Sequence, residues 1–206
     1  MAPRPARKSE PAYRRLDVEE RREQLLELGR ELFTKYGYDE LSMARIARHA
    51  GISKALLYHY FPTKHRFFEA ALEQAAAELA ARTNPDPDLP PVEALRGSVD
   101  GFLAWIEENA SAYEKLMASA TSVPEVRDLI TTIRDATSAR IVEGLHPEAP
   151  PPPKIRAATR GWLWFMDGVI LDWLEHRDTP REELRDFLLG SLLGALIAAG
   201  WTPVAG

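Results

Sequence analysis

Residues 31–72 read ELFTKYGYDELSMARIARHAGISKALLYHYFPTKHRFFEAAL, and the punctuation of this stretch sets the fold. Two short helical segments meet at Ala50-Gly51-Ile52, the pattern of a helix-turn-helix. Ala47 is small where the two helices cross, and Gly51 can take the positive φ that ends the first helix sharply. Ile52 can drop beneath the turn, and the Ser53 side chain can accept from a free N–H to cap the second helix. Phe61-Pro62 ends that helix, because the residue before proline avoids the α region. On a wheel of about 100° per residue, Leu56, Leu57, Tyr60 and Phe61 form one apolar arc. Lys54, Ala55, Tyr58 and His59 fall on the other side. That outward set suits a DNA major groove: a cation and an imidazole for phosphates or base edges, a phenol for a phosphate, and a methyl for thymine. A merely solvated face of a small helical domain is the competing reading.

Working outward, the same helical periodicity continues almost everywhere, and no alternating β-branched stretch bounded by turns occurs. An all-α protein is expected. The spacing predicts helices over about 18–36, 43–50, 53–60 and 63–82, with Asp17, Ser42, Ser53 and Thr63 as caps. Further helices are predicted near 91–109, 111–120, 124–145, 154–177 and 180–199. Two proline-rich breaks, TNPDPDLPPVE at 83–93 and HPEAPPPPK at 146–154, interrupt them. The expected organisation is a basic arm over 1–16, a DNA-binding head over 17–62, a connecting helix over 63–83 and a helical body over 84–206.

Charge follows that division. Residues 1–83 carry a formal balance of +3 and residues 84–206 one of −8, which suits a DNA-binding head on a body that does not bind DNA. The chain has no cysteine, so disulfides, thiolate metal sites and Cys nucleophiles are excluded. Its five histidines show no ligand spacing, and no phosphate-cradling Gly-rich loop or GxSxG elbow occurs. Glu107-Glu108 and Glu182-Glu183 are sequential carboxylates that diverge on a helix. Neither an enzyme, a metal nor a cofactor is expected. With no apolar run long enough for a bilayer, and no apolar core in MAPRPARKSEP, a cytoplasmic protein without a membrane partner is expected.

Taken together, Phe33…Gly37, Ile46-Ala47…Ala50-Gly51-Ile52-Ser53, Leu57-Tyr58-x-Tyr60-Phe61 and Lys64 closely resemble the N-terminal domain of the tetracycline-repressor (TetR) family. The resemblance is strong over about 17–72, whereas the rest matches in length and helical architecture. It implies a three-helix DNA-binding head, a larger helical ligand-binding and dimerisation domain, and a homodimer that represses at a palindromic operator until a small molecule releases it. Carried over by position, the DNA contacts fall on Ser42, Lys54, Ala55, Tyr58, His59 and Lys64. Ser42 would hold a phosphate through its hydroxyl and a backbone N–H. Tyr58 and Lys64 would clamp the backbone, and Lys54, Ala55 and His59 would read bases. Leu56 departs from the family's frequent Thr or Ser, which removes one phosphate contact. Arg45 and Arg48 are weaker candidates, as is the arm with Arg4, Arg7, Lys8, Arg14 and Arg15, which could reach a minor groove or simply solubilise the chain.

In the body, segments 105–117 and 161–176 hold four of the five tryptophans. Trp105, Tyr113, Met117, Trp162, Phe165, Met166, Asp167 and Trp173 are the candidates for an effector pocket, against plain core packing. Asp167, Asp172 and His176 are candidate polar anchors, and acidic anchors would favour a cationic or hydrogen-bond-donating compound. In the last helix, Gly190, Ser191, Gly194, Ala195 and Ala198 would let a partner copy approach closely, the resemblance implying a four-helix bundle from the last two helices. A helical protein–protein adaptor without sequence-specific DNA binding is the alternative function.

Overall fold

The computed structural model describes residues 18–145 and 151–202, so the arm, Asp17 and most of the second proline break lie outside the described residues. Nine α-helices and no strand occur among them. The first is α1 (Val18–Lys35), rich in Glu, Leu and Arg, followed after Gly37 by a single 3-10 turn (Tyr38–Glu40). Then come α2 (Met43–His49), α3 (Lys54–Tyr60) and α4 (Lys64–Arg82). The body is α5 (Pro91–Glu108), α6 (Ala110–Ser122), α7 (Pro124–Leu145), α8 (Pro153–His176) and α9 (Arg181–Ala198). Pro91, Pro124 and Pro153 each open a helix, where a missing N–H is no loss.

Leu25, Leu26, Leu32, Ile46, Ala47, Leu57, Phe61 and Phe67 form the core of the head. Full burial of Leu57 stabilises the head by about 1.5–3 kcal/mol. α1 and α4 meet closely at Gly29, where an added Cβ would lie 2.8 Å from the Phe67 ring. The body's own core, including Leu103, Ile106, Ile170, Leu188 and Leu192, is formed mainly by α5, α8 and α9. Between the two lies a third cluster of Tyr38, Phe68, Val123, Val126 and Ile130.

One edge of α6 holds the head to the body. Ser111 Oγ and Lys115 Nζ both donate to the Thr34 carbonyl near the end of α1, at 3.2 and 2.7 Å. Two turns on from Ser111, Ser119 Oγ accepts from the Tyr38 N–H at 3.4 Å. These three residues recur every four positions, so they share one stripe of the helix.

Candidate DNA face and effector cavity

Each helix of the DNA-facing pair is capped as the sequence predicts. Ser42 Oγ accepts from the Arg45 N–H at 3.3 Å, and Ser53 Oγ from the Leu56 N–H at 3.1 Å. Between them Gly51 has φ 64°, in the left-handed region, and nothing lies within 4 Å of a Cβ built there. A Gly51→Val substitution therefore meets backbone strain alone. We expect it to cost about 1–3 kcal/mol and to weaken DNA binding by misaligning α3. An unchanged melting temperature and unchanged duplex affinity would refute this dependence on glycine.

Lys54, Ala55, Tyr58 and His59 are all exposed, as is Ser42. Lys54 Nζ sits 5.5 Å from the Tyr58 ring centre one turn along, so the two share the outward face. Leu56 departs from the sequence expectation, being 38% exposed because it occupies the rim of the apolar arc rather than its centre. Arg45 is held within the head, its guanidinium 3.9 Å from the Tyr36 ring centre and donating to the Glu40 carbonyl at 3.1 Å. Lys64 is half-buried, donates to the Tyr38 carbonyl at 3.1 Å and lies 3.9 Å from that ring's centre. It has two further N–H protons to offer. Arg45, Arg48, Lys54 and Lys64 make no ion pair among the described residues, whereas Arg177, Arg181 and Arg185 on the body are each paired with carboxylates. Among the described residues, the head thus leaves four cations without a carboxylate partner beside its outward helix.

A cavity of about 760 Å³ lies between α4, α5, α6, α7 and α8 and reaches α1 and the 3-10 turn of the head. Trp105, Tyr113, Met117, Trp162, Met166 and Asp167 line it. Phe165 and Trp173 do not. Phe165 is 42% exposed on the outer side of α8, its ring centre 5.8 Å from that of Phe187. Trp173 shares the Trp162 face but lies about three helical turns further on, where its Nε1 donates to the Thr179 carbonyl at 2.8 Å. Asp172 and His176 are exposed, and the His176 Nδ1 lies 2.9 Å from the Asp172 carbonyl oxygen.

The cavity's polar cluster centres on Asp167, which accepts the Tyr113 hydroxyl at 2.6 Å and pairs through its other oxygen with Arg134. Burial pushes the Asp167 carboxyl above the usual carboxylate range, although Tyr113 and Arg134 oppose that rise. Burial likewise pushes the Tyr113 phenol far up, with the Asp167 charge adding to it. Sequence reasoning missed Arg134. An arginine in the Arg- and Asp-bearing stretch of α7 reads as solvated, and its partner lies 33 residues away.

The last helix presents two faces. Leu184, Leu188, Leu189, Leu192 and Leu196 are buried, whereas Phe187, Gly190, Gly194, Ile197 and Ala198 are exposed. A Cβ added at Gly190 or Gly194 would meet nothing within 4 Å, so the protomer's own packing does not require glycine there. Ala195 is half-buried, and Ser191 turns inward, accepting from Trp162 Nε1 at 3.0 Å. Among the described residues no group of three or more His, Asp or Glu could hold a metal, and no helix is long and apolar enough to cross a membrane.

A helix-turn-helix with a free, cation-flanked outer face, joined to a hollow helical body, defines a DNA-binding transcriptional regulator. Residues 25–71 match the family model for bacterial regulatory proteins of the tetR family, and residues 91–194 match a tetracyclin repressor-like C-terminal domain. The chain belongs to the TetR family, and the DNA-binding reading prevails over the adaptor. A solved tetR-family transcriptional regulator from Streptomyces coelicolor superposes with a TM-score of 0.76 at 30% identity, covering 90% of this chain and 84% of that one. The HTH-type transcriptional regulator BetI of Stenotrophomonas maltophilia is 29% identical over 160 residues, 73% of this chain and 80% of its own length. The HTH-type transcriptional activator FasR of Mycolicibacterium smegmatis is 35% identical over 105 residues, 48% of this chain and 46% of its own length.

Proposed function

We propose that the protein is a cytoplasmic homodimeric repressor that binds a palindromic operator and leaves it when a small molecule fills the body cavity. The carrying observation is the exposed Lys54, Ala55, Tyr58 and His59 face with its uncompensated cations, since unpaired charge is what releases counterions from DNA phosphates. In this reading Lys54, Ala55 and His59 read base edges, while Ser42, Tyr58 and the spare protons of Lys64 hold phosphates. The exposed apolar side of α9, including Phe187 with Phe165 of α8 beside it, is the surface that pairs with a second copy. Release would run through α6, which carries Tyr113 and Met117 in the cavity wall and holds Thr34 and Tyr38 of the head through Lys115 and Ser119.

The test is selection of bound duplexes from a random-sequence pool by the purified protein. Recovery of a palindrome with half-site centres about one helical turn apart or slightly more supports the reading. Tyr58→Ala should then lower affinity for that duplex about tenfold, with helical content unchanged. A folded dimer that enriches no motif, or a Tyr58→Ala variant that binds like the parent, counts against this DNA face.

A further inference from the structure

The chemistry of the cavity narrows what it holds, given the reading above that it is the effector site. Its wall is mainly apolar; of the charged residues in it, Arg30, Asp86, Arg140 and Glu143 are exposed to solvent and Lys115 is held on the Thr34 carbonyl, whereas Asp167, Arg134 and Tyr113 form the buried cluster. The Arg134 and Asp167 side chains are only 11% and 13% exposed, so their opposite charges cancel away from water. A buried ammonium head would find the Asp167 carboxylate already matched, and a buried carboxylate head would add a second negative charge beside it. Either ion arrives with its desolvation penalty uncompensated. An uncharged head avoids that penalty.

Hydrogen-bonding capacity gives the head its polarity. Each Asp167 oxygen already has a strong donor, and the single Tyr113 proton is spent on it. Arg134 has five N–H protons, yet its contacts with Asp167 and with the Met117 sulfur at 3.7 Å both run through Nη2. Its Nε and Nη1 meet no acceptor among the described residues, and its flat face is fixed 3.9 Å from the Trp164 ring centre. The cluster therefore has donors to spare and few free acceptors. The acidic anchor that the sequence offered to a cationic compound is already occupied from within.

We propose that the cavity takes an uncharged, largely apolar molecule with one hydrogen-bond-accepting head, such as an ester, amide or ketone oxygen, received by the free edge of Arg134. Phe102, Leu116, Ile141, Leu163 and Met166 supply the apolar wall for its body.

The experiment titrates the full chain with methyl decanoate, decanoate and decylammonium, which share an alkyl chain and differ in head. Quenching of tryptophan fluorescence reports binding, since Trp105 and Trp162 stand in the wall. Methyl decanoate should bind at least about tenfold more tightly than either ion. Asp167→Asn, which leaves Arg134 as a net positive charge, should invert the order and make decanoate the tightest. The double variant Arg134→Met/Asp167→Leu, which removes both charges together, should lose about tenfold for the ester without gaining for either ion. Equal or tighter binding of either ion by the parent protein, or no binding of any of the three, overturns the proposal. Duplex selection reads the head independently. A recovered operator beside a failed titration would therefore sink the ligand class and leave the regulator standing.

Discussion

Arg134→Met alone should destabilise the protein by about 3–5 kcal/mol, because it strands the Asp167 carboxylate without its counter-charge. Urea unfolding at neutral pH measures this directly. Changing Asp167→Leu in the same chain should recover most of the loss, since removing both ions leaves no buried charge behind. The deficit should also depend on pH, with a definite sign. Burial already raises the Asp167 carboxyl above its unfolded value, and losing Arg134 raises it further. The folded single variant then binds its proton before the unfolded chain does, so it is least impaired in acid and loses stability as pH rises through the raised value. A single variant within about 1 kcal/mol of the parent would mean the pair behaves as an exposed one.

Placing arginine at both Phe187 and Ile197 should leave a folded monomer that no longer holds its operator. These side chains are 55% and 57% exposed in the protomer, so the change removes little of its internal packing. In a dimer they would face a second copy, where two like charges per protomer repel. Specific binding should fall to the non-specific level, a loss of about a thousandfold or more, because one half-site is all that a monomer reads. Sedimentation and binding to the selected duplex check both halves of the statement. A variant that stays dimeric would place the partner surface elsewhere.

The head was legible because its signals are local. Ser42, Gly51, Ser53, Phe61-Pro62 and Thr63 each act within a few residues of themselves, and the outward set of α3 follows from helical geometry alone. Leu56 shows the grain of that argument: a wheel gives an angle, whereas exposure at the rim of an arc depends on the neighbouring helices. The body was legible as helices between prolines, and less so as a site. Phe165 and Trp173 are aromatic like Trp162 and Trp105, and only packing decides which of them meets the cavity. Arg134, Ser191 and Lys115 owe their roles to partners 29 to 81 residues away, which no local pattern encodes.

The cavity does not stop at the body. Phe33, Tyr36 and Tyr38 of the head belong to its wall, and so does the face of α7 from Ile130 to Leu145, about 20 Å of helix. Arg134 stands one turn from the end nearest the head. A molecule anchored there can extend back toward Leu145 without touching Phe33 or Tyr38, or spread forward to press on both. On the proposed reading of ligand release, only the second kind would distinguish the DNA-holding arrangement from the released one, and an occupant indifferent to the two would shift nothing however tightly it binds. On that reading the same site would also have room for silent occupants, antagonists that block a true inducer. Shape toward the head, more than affinity, would separate the two.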